Sequence, residues 1–267
     1  MKHDDARQLP DHTRLAQFVA EVAPAPPLFV SVSGAHLYGF ASPDSDVDLR
    51  GAYVAPVKDL LGLRTPKETV SVTRDNAGVE LDFVAHEVRK YASMMLKHNG
   101  LVLEQLFSPL VVTARPELAQ LRELGKGCIT RGLLHHYRGF AHSRRKLLAT
   151  SGATVKHLLY AYRVYLSGMH ALRSGEIEAN LLTLNKQQRL TQVDELIDRK
   201  RQSPEKHALE LGETAKHEQY LDELEAELRQ AHEQSSLPDQ PTTADELDVF
   251  VRQLRTNELR SDGLVSE

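Results

Sequence analysis

The first periodic stretch, residues 13–23 (TRLAQFVAEVA), carries apolar side chains at helical spacing and stops at the stiff connector Pro24-Ala25-Pro26-Pro27. An apolar run at 28–33 then predicts a buried strand, and VDLRGAYV (47–54) predicts a second. PVKDLLGL reads as a short helix started by Pro56, while ETVSVTR (68–74) and VELDFVA (79–85) alternate with the period of two of strands. From His86 the spacing turns helical and strands all but vanish: 86–99, 101–107, 115–126, 131–149, 153–173, 186–201 and 205–234 each predict helix. A last amphipathic helix is expected at 243–258, after the linker SSLPDQPTT. The pattern predicts an α/β (α+β) chain: a small mixed-sheet domain with an N-terminal helix over residues 1–110, then a mostly helical domain over 111–267.

Composition narrows the class. At 267 residues, 41% hydrophobic and 26% charged, the chain can bury a core of ordinary size, and disorder throughout is excluded. A single cysteine, Cys128, leaves no internal disulfide framework and no Cys-rich zinc module, which suits a reducing compartment. No run approaches the roughly 18–20 apolar residues of a membrane span, and MKHDDARQLPDH is too polar for a signal peptide, so a soluble cytoplasmic protein without membrane contact is expected.

Net charge is only −4, but its distribution is uneven. From Leu124 to Gly175 there is no Asp or Glu, whereas Lys126, Arg131, Arg138, Arg144, Arg145, Lys146, Lys156, Arg163 and Arg173 fall there with five of the 13 histidines. From Glu176 to Gln234 fourteen acids face eight bases. Two readings stand: a local positive field that attracts a polyanion, or two helical faces of opposite sign that pair with each other.

The densest candidate chemistry lies in SGAHLYGFASPDSDVDLRG, residues 33–51. Asp46 and Asp48, two apart on a strand, present both carboxylates to one face. Like charges so placed require a cation, and hard oxygen donors favour Mg²⁺ or Mn²⁺. Ahead of them the order is strand, Gly34, a helical turn Ala35–Tyr38, Gly39 and the turn Ser42-Pro43-Asp44-Ser45, in which free backbone N–H groups can cradle a triphosphate. Asp82, on the polar face of VELDFV, supplies a third carboxylate if its strand neighbours that of Asp48, with Glu80 as its rival. Two metal ions so held stabilise the entering and leaving oxygens of an in-line phosphoryl-type displacement, while Asp82 helps take the proton of the attacking hydroxyl. The bland alternative is a turn followed by a polar-faced strand, and Asp-x-Asp also occurs in glycosyltransferases, which need a larger sugar-nucleotide domain.

Gly34-x-x-x-Tyr38-Gly39, Asp44-Ser45-Asp46-x-Asp48-Leu49-Arg50-Gly51 and Asp82, continued through 90–112, 128–141 and 155–181, together resemble the DNA polymerase β-type nucleotidyltransferase superfamily, specifically its RNA-ligase-associated bacterial and phage branch. The resemblance covers roughly residues 28–185. It implies catalytic, metal-holding Asp46, Asp48 and Asp82, a triphosphate loop at Gly34, two Mg²⁺ or Mn²⁺ ions, an NTP substrate and an RNA ligase in the same pathway. One departure is that Ala35 stands where the superfamily often has serine, leaving backbone N–H groups, Ser33 or His36 to meet the phosphates.

Further nucleotide contacts are expected from Arg50, which either neutralises substrate phosphate or pairs with a carboxylate, and from Lys156, Tyr160 and Arg163 on one helical face. Arg131, His136, Arg138, Arg144 and Arg145, interleaved with aromatics, suit a nucleic acid. Glu104, amid apolar residues, is read as tied to a base such as Arg131. The expected activity is transfer of an NMP from an NTP to an acceptor hydroxyl, an RNA or DNA end, with release of pyrophosphate. The alternatives are a degenerate nucleotide- or RNA-binding module, and transfer to a protein or small molecule. The acidic 205–234 segment suits a homo-oligomer or a partner.

Overall fold

The computed structural model describes residues 9–63, 65–150, 154–202 and 211–261. In chain order the elements are α1 (His12–Val22), β1 (Pro27–Val32), α2 (Gly34–Tyr38), β2 (Val47–Tyr53), α3 (Val57–Leu61), β3 (Thr69–Asn76), β4 (Val79–Glu87), α4 (Val88–Leu96), α5 (Gly100–Phe107), β5 (Val111–Ala114) and α6 (Leu118–Lys126). They continue with α7 (Leu133–Thr150), α8 (Val155–Ser174), α9 (Leu181–Gln188), α10 (Thr191–Gln202), α11 (Leu211–Gln234) and α12 (Ala244–Ser261). The architecture is a mixed five-stranded sheet followed by a largely helical region, as the patterning predicts. Of the helix expected over 205–234, residues 205–210 lie outside the described residues, as does residue 153 of the helix expected over 153–173.

The chain forms two compact units. The first, here the sheet unit, comprises Pro10–Ser33, Val47–Cys128 and the segment from Pro241 on. Its strand order is β3-β4-β2-β1-β5. β2 and β4 run parallel, joined by a crossover through α3 and β3, and the other neighbours are antiparallel. Along β2 and β4 the positions alternate: Val47, Leu49, Leu81, Phe83 and Ala85 are wholly buried, while Asp48, Arg50, Asp82 and His86 are half-exposed. Gly51 lets β1 approach β2, since a Cβ there would come within 2.0 Å of the Phe29 carbonyl oxygen. α12 returns from the end of the chain to pack on α4 and α6, with Thr242 N–H donating to Gly127 O at 2.9 Å and Arg255 pairing with the buried Glu87 at 2.9 Å.

β5 corrects the expectation that strands all but vanish after His86. Four residues followed by Arg115-Pro116 carry too little pattern to register as a strand, yet they extend the sheet edge beside β1.

The helical unit comprises Gly34–Asp46 and the described residues of 129–240. α8 is its axis: 14 of its 20 residues are buried, as befits a helix covered by α7, α9, α10 and α11. The single helix expected at 186–201 is instead two. Asn185 accepts from Leu190 N–H at 3.0 Å and donates to Leu190 O at 3.1 Å, with Arg189 in the left-handed conformation between α9 and α10. A side chain thus breaks a run that the apolar spacing leaves continuous.

Candidate active site

Parallel register sets Asp48 directly against Asp82, Arg50 against Val84 and Ala52 against His86. Antiparallel β3 adds Thr73 opposite Asp82 and Thr69 opposite His86. At the usual strand separation of about 4.8 Å, two carboxylate charges repel by roughly 3 kcal/mol at an effective dielectric near 20. A cation resolves this. One guanidinium nitrogen, Arg50 Nη2, binds Asp48 Oδ1 and lies 2.7 Å from Asp82 Oδ2. Arg50 Nη1 donates to the Asp82 carbonyl at 2.5 Å and to that of Leu49 at 3.1 Å, while Thr73 Oγ1 donates to Asp82 Oδ1 at 3.0 Å. Glu80 is exposed and pairs in register with Asp75, away from this convergence. Asp46 is half-buried and ends the segment just before β2.

Among the described residues no group of three or more His, Cys, Asp or Glu side chains is set to hold a metal ion. The Asp48–Asp82 pair nonetheless fits a hard divalent cation by its donor chemistry: two carboxylate oxygens already converge on one positive atom. Mg²⁺ is commonly held by one or two carboxylates, with water and substrate phosphate completing its shell.

Patterning left Thr73, Thr69 and His86 aside, although the period of two in β3 and β4 puts them on this same face. His86 Nδ1 lies 2.9 Å from Thr69 Oγ1, which also accepts from Lys90 Nζ at 2.7 Å. Burial first, then the charges of Lys90 and Arg50, lower the His86 pKa and favour the neutral ring. Ser33 is buried, and its N–H donates to Asp48 O at 2.8 Å.

In the helical unit, Gly34 and Gly39 take φ of 61° and 84° at the two ends of α2, conformations that glycine adopts without strain. Ala35 is buried and His36 half-buried, and Phe40 N–H donates to Ala35 O at 3.1 Å. The Ser42–Ser45 turn is closed by its own bonds, Ser42 N–H to Ser45 Oγ at 2.9 Å and Ser42 Oγ to Asp44 Oδ1 at 2.6 Å, so Asp44 and Ser45 shape the turn. Two residues that patterning missed brace this segment from α10: Lys200, 2% exposed, donates to Ser42 Oγ at 2.7 Å, and Arg201 to Gly39 O at 3.1 Å. They sit in an ordinary basic helix end, so no sequence signal marks them.

Of the helical face expected to meet the nucleotide, Lys156 and Tyr160 are half-buried, whereas Arg163 is wholly buried. Its guanidinium lies 3.8 Å from the centre of the Tyr38 ring, which meets Tyr160 edge-on at 5.6 Å. Such a desolvated cation–π contact is worth about 2 kcal/mol. Arg144 stacks over Phe140 at 4.6 Å and Tyr160 at 5.2 Å. Burial, then the Arg163 charge, hold the His136 pKa down to about 4, so this ring is neutral.

The acid-free segment meets the acids of α11. Arg138 pairs with Glu225, Arg173 with Glu227, and Arg145 with Glu218, Asp222 and Glu225. Burial alone would lower the Arg145 pKa, but hydrogen bonds with Asp222, Tyr165 and Glu218 raise it. Of the two readings of the charge asymmetry, mutual pairing describes these arginines. Arg131 pairs with Asp239 at 3.4 Å, and Glu104 is buried in α5. His135 is exposed and His136 half-buried.

The mixed sheet, with a carboxylate pair on adjacent parallel strands and a helical region after it, is the arrangement of a polymerase-β-like nucleotidyltransferase. A model of the family described as "RNA repair pathway DNA polymerase beta family" matches residues 3–253, and the chain belongs to that family. It is also similar to an uncharacterized protein, MJ0002, of Methanocaldococcus jannaschii, with 33% identity over 159 residues, covering 58% of this chain and 63% of that protein. Among the described residues no helix is long and apolar enough to cross a membrane.

Proposed function

We propose that this protein transfers an NMP from an NTP to the hydroxyl of a nucleic-acid end, RNA before DNA, releasing pyrophosphate. The observation that carries the reading is the in-register Asp48–Asp82 pair converging on one cation, in a chain of this family. The acceptor oxygen bonds to the α-phosphorus as the bond from that phosphorus to the pyrophosphate oxygen breaks. Asp48 and Asp82, with Asp46 two residues before Asp48, would hold two Mg²⁺ or Mn²⁺ ions. Bound there, divalent cations supply positive charge for the phosphate oxygens and acidify the acceptor hydroxyl. Asp82 accepts the hydroxyl proton on a carboxylate oxygen, Thr73 fixing that carboxylate's orientation. Ser33, Gly34, Ala35 and His36 contact the triphosphate, through backbone N–H where Ala35 lacks a hydroxyl. Lys156 and Tyr160 contact the nucleotide, and Arg163 positions Tyr38. Arg131, His136, Arg138, Arg144 and Arg145 remain the proposed acceptor contacts, three of the arginines after exchange against the acids they now meet.

Incubating the protein with α-labelled NTPs, Mg²⁺ and RNA ends tests this, label on RNA being the expected result. Label on a protein with none on RNA would overturn the acceptor. Nucleotide binding that survives Asp48→Ala, with no turnover in the parent, would show a binding module instead.

A further inference from the structure

The Asp48–Asp82 pair already has a cation. A single nitrogen, Arg50 Nη2, contacts one oxygen of each carboxylate, and Nη1 ties the same guanidinium to the carbonyls of Leu49 and Asp82. The position between the two aspartates is therefore filled by a side chain from the strand that carries one of them. A magnesium ion binds carboxylate oxygens at about 2.0–2.1 Å, closer than a guanidinium nitrogen stands. Set between Asp48 Oδ1 and Asp82 Oδ2, the guanidinium nitrogen stands where an ion shared by those two oxygens would sit.

We infer that Arg50 is an internal counter-ion occupying the divalent-cation seat between Asp48 and Asp82, so that a metal ion enters only as the guanidinium leaves and an anionic phosphate oxygen receives it. This rests on the proposed nucleotidyl transfer and deepens it. Without nucleotide, Arg50 neutralises two carboxylates that the backbone register of β2 and β4 holds together. With nucleotide, a guanidinium fork suits a phosphate as well as it suits carboxylates. Metal and nucleotide then strengthen each other's binding, because each takes one side of the Arg50 contact, and that coupling is reciprocal. Arg50 is thus a positioning residue whose two partners explain why the strand pattern leaves both of its roles open.

The test is Mn²⁺ binding by the full chain, followed by electron paramagnetic resonance of free Mn²⁺ and by calorimetry, without turnover. Arg50→Gln is expected to tighten Mn²⁺ binding about 10-fold or more in the absence of nucleotide, and to abolish the further tightening that a non-hydrolysable NTP analogue gives the parent. Arg50→Lys, which keeps the charge but not the fork, is expected to fall between. The metal-free thermal midpoint of Arg50→Gln is expected to drop, with Mn²⁺ restoring it by a larger shift than in the parent. Asp82→Asn placed on Arg50→Gln should remove the gained affinity. Equal or weaker Mn²⁺ binding by Arg50→Gln, with parent binding that still depends on Asp48 and Asp82, would overturn the counter-ion while leaving the transfer reading intact. Absence of Mn²⁺ binding by every protein, with or without nucleotide, would overturn both.

Discussion

Among the described residues each unit has an arginine shared by two or more acids, and the two clusters differ in what holds them. In the sheet unit Arg50 serves Asp48 and Asp82, whose closeness is imposed by backbone register between β2 and β4. In the helical unit Arg145 serves Glu218, Asp222 and Glu225, which lie along one face of α11 at spacings of four and three. Strands force the first pair of like charges together whether or not a cation is present. The helical acids are on flexible side chains that turn toward water if the arginine is lost. Ion pairs of similar length therefore have different meanings: a rigid repulsive pair is a demand for a cation, whereas a flexible one is a packing contact.

The largest effect that separates the two should come from Asp48→Asn or Asp82→Asn, expected to reduce nucleotidyl transfer by about 10²–10³-fold with little loss of thermal stability. A parallel fall of activity and melting temperature would make the sheet cluster structural like the helical one. Gly51→Ala attacks the register instead of the charges. A Cβ meeting the Phe29 carbonyl should cost about 3 kcal/mol, read from denaturant midpoints, and should move Asp48 off Asp82.

A pH titration distinguishes the units next. His136 is half-buried and neutral, its pKa held down to about 4 against an ordinary 6.5, so the unfolded chain binds the extra proton. Its contribution is present above pH 6.5 and is lost as pH falls toward 4, by up to roughly 3 kcal/mol. Burial shifts His217 in the same direction. His136→Phe should flatten urea midpoints between pH 6.5 and 4, and an unchanged slope would assign the acid sensitivity elsewhere. The smallest effect is expected of Arg145→Ala, about 1–2 kcal/mol, shrinking with added salt because its acids are partly solvated. A salt-independent loss would place that cluster closer in kind to Arg50.

Much of this was legible from residues alone where periodicity is strict. The alternation in VDLRGAYV and VELDFVA puts Asp48, Arg50 and Asp82 on one face, and the parallel pairing of β2 with β4 sets that face together. Three features were not legible, for separate physical reasons. β5 is too short to have a period. The α9–α10 break is made by the Asn185 side chain rather than by glycine or proline. The partners of the acid-free segment were not legible, since linear charge segregation left a polyanion field and mutual pairing both open and says nothing about which helix folds back upon it; α11 does so.

The return of α12 to the sheet unit also sets a schedule for synthesis. Glu87 and the faces of α4 and α6 are made well before Arg255 and the helix that covers them. At about 5–20 residues per second, the roughly 120 residues between Cys128 and Phe250 take on the order of 6–25 s to translate. During that interval the faces of α4 and α6 that α12 covers in the folded sheet unit are made but not yet covered by it, so apolar surface there is exposed during synthesis.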